Sequence, residues 1–448
     1  MKGSTLGDIS AKTSTASLPA RTRLFSASYK ALARFLTLAS VPVSLLWYPL
    51  MNLPNFGRVT ASDAILIMLW MLTLAYYATR KRRSPVRDRA FLILFLAVVP
   101  GVLAAVGATT FGDAGDPVKE FSVYMKRFGL AAVLPLAMNC YASPRLYRWS
   151  PIMLFVCILA MDVFSIFPDF RSILIIASLE ADPSALGERA MGLISNPNDS
   201  AYIAICAMAG VIATIRLRKR PGFWMTLLMG SAVAGSLVNV VLSGSRSGLI
   251  ALLAGLFYYI LVSRSSSVRK SLIIGLFALS GCVGLSYSSE FKQRMESALT
   301  QQLGEESVES RLQAQYVALL ATLKHPLGVG FLNFPQATAR LSGGMVFAAV
   351  EGSDSVYFDT LLGAGFLGLA ALLLLYSTCW KYLRTSLHRP TEASLILRAG
   401  CIAISVFGLA TTSPFSVFVS PVAFFMVGSC AFREIGRGRP ISVSRKSR

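Results

Sequence analysis

Arg189, Arg246 and Arg311 stand beside apolar runs or at their ends, and Lys126 and Arg127 stand inside one. A guanidinium stays ionised at membrane depth, and its planar fork pairs with two phosphate oxygens at once. Anion stabilisation is therefore the chemistry these residues offer. Charges inside membrane spans are costly, which makes such residues functional candidates by default. Asp354 is the carboxylate that accompanies them, suited either to accept a proton or to cap a helix N-terminus.

The candidates cluster in four stretches. The first is Arg189–Asn198, which ends in Asn196-Pro197-Asn198. The second is Leu242–Gly248, containing Ser245-Arg246-Ser247-Gly248. The third runs from Ser310-Arg311 through Gln315-Tyr316 to Lys324-His325-Pro326-Leu327-Gly328-Val329-Gly330-Phe331-Leu332-Asn333-Phe334. The fourth is Ser353-Asp354-Ser355-Val356-Tyr357-Phe358-Asp359, running into Gly363–Gly368. Each residue also has a plainer reading. Glu188 or Asp182 could hold Arg189, and Glu309 could hold Arg311. Lys126 and Arg127 could mark the membrane interface, and Tyr357 could belong to an aromatic belt. Asn198 could be a cap, and His325, beside a Pro-Gly turn, could make a structural hydrogen bond.

The elements that must position these residues are membrane helices. The chain is 54% hydrophobic and 15% charged, with a mean hydropathy of +0.60, against about 25% charged in a soluble domain. Apolar runs near the length needed to cross a bilayer, roughly 20 residues, lie at 35–53, 61–79, 90–110, 121–141, 151–168, 192–215, 222–242, 247–263, 271–288, 356–380, 396–412 and 415–432. The expected fold is thus all-α and polytopic, with about twelve transmembrane helices.

The formal charge of +21 would suggest nucleic acid in a soluble protein, but its distribution is topological. With twelve spans, 31 of the 43 Lys and Arg fall on one side, in residues 1–34, 80–89, 142–150, 216–220, 264–270, 381–398 and 433–448. Those segments carry only four acids, Asp8, Asp88, Glu392 and Glu434. The positive-inside rule puts both termini in the cytoplasm. Residues 1–34 and 433–448 then read as disordered basic tails and 289–355 as a large loop domain outside, with short helices. A cleaved signal peptide is not expected.

Several patterns lead nowhere. Gly363-Ala364-Gly365-Phe366-Leu367-Gly368 matches a dinucleotide fingerprint but lies in an apolar span, where close packing through small residues is the better reading. Gly244–Gly248 has Arg, not Ser, where a nucleophile elbow needs its serine. The seven cysteines and two histidines show no metal-ligand spacing.

Taken in order, the four stretches resemble the O-antigen ligase and polymerase superfamily of bacterial envelope glycosyltransferases. The resemblance covers about residues 189–370 and rests on the Asn-Pro-Asn helix start, the Ser-Arg-x-Gly helix start, the Arg…His-Pro-Leu-x-Gly-x-Gly-x-x-Asn-Phe segment and the Asp-x-x-Tyr helix start. It implies an inner-membrane enzyme that joins an undecaprenyl diphosphate-linked glycan to a hydroxyl of another glycan on the periplasmic side, with no metal and no cofactor. Asp354, Arg246 and Arg311 would be catalytic. Arg189, Asn198, Lys126, Arg127, His325 and Tyr357 would bind substrate. Its partners would be the lipid-linked glycan and membrane lipids, with a chain-length-regulating co-polymerase as a candidate and no nucleic acid. Ligases of the family carry a histidine where this chain has Ser353-Asp354-Ser355, which moves the expectation toward the polymerase branch. The ligase, and a flippase of the same lipid-linked units, are the alternatives.

Overall fold

A computed structural model describes residues 20–45, 49–53, 57–79, 85–111, 116–167, 196–218, 221–263, 306–341, 353–384, 391–411 and 419–432. The described chain is almost entirely helical. Its helices are α1 (Ala20–Ser44), α2 (Ala61–Thr79), α3 (Pro85–Phe111), α4 (Pro117–Tyr141), α5 (Pro144–Ile166), α6 (Pro197–Arg216), α7 (Phe223–Leu242), α8 (Arg246–Val262), α9 (Glu306–Lys324), α10 (Phe334–Leu341), α11 (Val356–Arg384), α12 (Glu392–Phe407) and α13 (Val419–Phe432). Seven of these, α2 to α7 and α11, are long and apolar enough to cross a membrane, and α8 and α13 are shorter apolar helices. Large apolar side chains such as Phe95, Phe223, Trp224, Phe257, Leu261 and Leu367 are exposed on the flanks, as lipid-facing positions require.

Helix starts follow local capping chemistry. Asp116 accepts the Val118 and Lys119 amides at α4, Ser143 that of Leu146 at α5, and Ser245 that of Gly248 at α8. Pro117, Pro144 and Pro197 occupy the first helical turn, where a missing N–H costs nothing. Helix α6 is buried along almost its whole length, packed by α5, α7, α12 and α13. Helix α11 packs most extensively on α3.

The first expected span needs correcting. Its helix begins at Ala20 and ends at Ser44, not at 35–53, so part of the segment read as a disordered tail is helical. Residues Pro49–Leu53 instead pair antiparallel with Gly57–Thr60. Their apolar run imitates the end of a span, but Pro49 and Pro54 bracket it, and proline breaks helices. The long loop does hold helices, α9 and α10. The expected span near 271–288, the basic segments 1–19 and 433–448, and Arg189 lie outside the described residues.

Candidate active site

The described parts of the four stretches, the first from Asn196 onward, meet at one end of the bundle, the end carrying α9 and α10. Asn196 rather than Asn198 caps α6, accepting the Asn198 amide at 2.9 Å. The Asn198 side chain is thereby free to face α8, where its Oδ1 accepts the Ser245 hydroxyl at 2.8 Å. Two helix N-termini, those of α6 and α8, are therefore held side by side, with half-buried Arg246 on the first turn of α8. Helix N-termini present free amides and a positive dipole end, the elements of an anion site. One turn along α6 from Asn198, Tyr202 meets Phe407 edge-on, with ring centroids 5.0 Å apart. The next residue, Gly408, accepts the Val356 amide at 2.9 Å and the Ser355 hydroxyl at 3.2 Å. The first two stretches are thus tied to the fourth.

Arg311 and Asp354 form an ion pair at 2.8 Å between Nε and Oδ2, each about half exposed. Asp354 does not cap α11. Its backbone takes a positive φ of 54°, a region that Asp tolerates better than most side chains, and its carboxylate turns to Arg311. Asp359 performs the local bracing instead. Its Oδ1 accepts both the Ser353 amide at 2.8 Å and the Ser353 hydroxyl at 2.6 Å. Tyr357 ties α11 to α12, donating its hydroxyl to the Ser405 carbonyl at 2.8 Å.

The third stretch explains the glycines of the fourth. After α9 the chain turns through Gly328 (φ 86°) and Gly330 (φ 91°) and docks along a break in α11. The Val329 amide donates to the Leu362 carbonyl and the Gly330 amide to the Gly363 carbonyl, both at 2.9 Å. The Phe366 amide donates back to the Pro326 carbonyl at 3.2 Å. Gly365, at the break, has φ 68°, and a Cβ there would collide with the Pro326 carbonyl oxygen. The Gly-Ala-Gly run is thus more than a helix-packing stripe, as first read; it opens the helix for a docking strand. Non-helical backbone at this depth is tolerated only where protein satisfies it. His325 follows α9 directly and packs edge-on against Phe111, centroids 5.2 Å apart.

Lys126 and Arg127 occupy a π-helical turn, Met125–Gly129, inside α4, a distortion often found at functional sites. Lys126 lies 3.9 Å from Asp63, at the start of α2. Exposed Arg127 accepts the Ser420 hydroxyl at 2.8 Å through its backbone carbonyl. Asp359 lies in the fourth stretch but was given no role there, and Glu120 did not stand out in the sequence as part of a site. Glu120 borders an apolar run and reads there as an interface charge.

No curated protein matches this chain. The family model described as O-Antigen ligase matches residues 232–373, about a third of the chain. It supports O-antigen ligase- or polymerase-type activity in general. The matched stretch runs from α7 through Ser245-Arg246, the Arg311–Asp354 pair and the break at Gly365, and it is this part of the chain that is similar to the O-antigen ligase family.

Proposed function

We propose that the chain polymerises undecaprenyl diphosphate-linked repeat units of an O-antigen, capsule or exopolysaccharide, at a site on the periplasmic face of the inner membrane. The observation that carries this reading is the Arg311–Asp354 pair, which puts a cation and a carboxylate together at the N-terminus of a broken span. In the reaction, an acceptor hydroxyl attacks the anomeric carbon of the donor's reducing-end sugar. The carbon–oxygen bond to the carrier diphosphate breaks, and the hydroxyl proton passes to Asp354.

The departing diphosphate is already a good leaving group, so positioning and charge stabilisation are what the protein must supply. Arg246, with the N-termini of α6 and α8, holds the diphosphate on one side. Arg311 reaches it from the other by exchanging partners. A half-exposed ion pair is worth about 0–1 kcal/mol, little enough for a diphosphate to displace Asp354. Donor binding thereby frees the base that the acceptor needs. Arg127 supplies a further cation for the donor, a role that the family resemblance gives to Arg189 as well.

In cells lacking the protein, single lipid-linked repeat units should accumulate while longer chains vanish. The similarity to the O-antigen ligase family favours a second reading, a ligase. Under it, finished polymer would accumulate on the carrier instead, which would overturn the polymerase.

We further propose twelve spans with both termini cytoplasmic, from the cation asymmetry. Cysteine labelling at Ser307 and Ser444 should report opposite compartments. Labelling of both from one side would contradict it.

A further inference from the structure

We propose that Glu120 is a positioning residue for the proposed transfer reaction, acting as a clamp that sets where Arg311 meets Asp354. Glu120 is 1% exposed, an acid with almost no access to solvent in a chain built of apolar helices. Its carboxylate is spent on backbone. Oε1 and Oε2 accept the Leu332 amide at 2.9 and 3.1 Å, and the Phe331 amide also donates to it. Carboxylates that accept backbone amides make stronger hydrogen bonds than neutral acceptors do.

The surrounding residues are shaped around that grip. Gly330 has φ 91°, and a Cβ there would lie 2.7 Å from Glu120 Oε1. Asn333 stands beside it and closes the turn, its Nδ2 donating to the Val329 carbonyl at 2.7 Å. Gly107 of α3 leaves room for the Gly328 carbonyl, which would stand 2.7 Å from a Cβ. Phe331 stacks on Tyr124, one turn along α4 from Glu120, with centroids 5.1 Å apart.

The clamp acts at a distance through a rigid lever. The strand it holds is the one docked on the break at Leu362–Phe366. That strand follows directly from the C-terminus of α9, whose Ala314, Ala318 and Ala321 pack with Leu362 and Val329. Thr322 adds a hydrogen bond to the Leu361 carbonyl at 3.1 Å. Arg311 sits near the other end of α9, roughly 20 Å away at 1.5 Å per residue. Fixing one end of α9 against α11 therefore fixes where Arg311 stands over Asp354. Glu120 touches neither reacting group, so it changes turnover only by aiming those that do.

The role rests on the transferase reading, but its test has an arm that needs no substrate. Full-length Glu120→Gln, Glu120→Ala and, as control, exposed Val118→Ala would be compared by hydrogen exchange of the peptide spanning Phe331–Asn333, by thermal unfolding, and by turnover of lipid-linked repeat units. Exchange of the Phe331 and Leu332 amides should rise about tenfold or more in Glu120→Ala and less in Glu120→Gln, which keeps one acceptor. The kcat should fall about 10- to 100-fold with the donor KM held, because small misplacements are that costly. Val118→Ala should change none of these. Unchanged exchange at Phe331–Asn333 would overturn the clamp. So would protection lost throughout the bundle in step with the unfolding temperature, which marks mere stability. If the wild-type protein transfers no lipid-linked glycan, the transferase reading fails by itself and the exchange arm alone decides whether the clamp exists.

Discussion

Arg311→Ala should reduce polymer formation by about 10²–10³-fold, the usual loss when one charge-stabilising donor leaves an active site. Asp354→Asn should cost about 10²–10⁴-fold, the range of general-base catalysis. Neither should lower the amount of folded protein in the membrane. The ion pair is about half exposed on both sides, and such pairs contribute about 0–1 kcal/mol to stability. The charge-swapped double variant, Arg311→Asp with Asp354→Arg, separates two accounts of the pair. A structural bridge works in either direction, so the swap would restore activity. In the partner-exchange account each residue has its own substrate, the diphosphate for one and the hydroxyl proton for the other, so the swap should stay as inactive as the worse single variant. Restored turnover in the swap, measured with protein level held equal, would reduce the pair to a brace.

Gly365→Ala should be the most damaging change of a single methyl group. The residue has φ 68° and ψ −168°, a region essentially reserved for glycine, where a Cβ costs about 1–3 kcal/mol before any contact is counted. Here the methyl also meets the Pro326 carbonyl oxygen, which accepts the Phe366 amide and cannot withdraw without losing that bond. The docked strand must lift or the break must close, and both move α9. Activity should be lost, and the yield of folded protein should fall. Gly230→Ala is the matched control. No atom lies within 4 Å of a Cβ there, and alanine is the better helix former, so yield and activity should match wild type or exceed it. Equal behaviour of the two variants would contradict the break as a positioning device.

These residues also show what could be read before folding and what could not. Helix starts are written locally. Asn196, Ser245 and Asp116 each precede an apolar run and each caps it, because capping involves only the next two or three amides. The cation asymmetry is equally legible, since it depends on order along the chain alone. The glycines of Gly363–Gly368 announced a special backbone, yet nothing in that run says that Pro326–Gly330 docks on it. That pairing is set by α9 folding back on α11. Asn198 looked like a cap and proved a bridge, because its partner Ser245 lies in another helix. Glu120 was hidden for a related reason. One acid at the edge of an apolar run resembles an interface charge until the amides it holds, far along the chain, are brought to it. The Pro49–Leu53 strand misled in the opposite sense, since its composition suits a membrane span and only its bracketing prolines object.

The central claim is that this chain transfers glycan from a diphosphate carrier to a glycan hydroxyl at the end of the bundle carrying α9. The most direct measurement supplies purified, lipid-reconstituted protein with carrier-linked single repeat units and follows products by size. The account predicts a ladder of lengthening chains with one carrier diphosphate released per added unit, and no ladder in Arg311→Ala or Asp354→Asn at equal protein. Units that stay single with wild-type protein, or a ladder that persists in both variants, would contradict it.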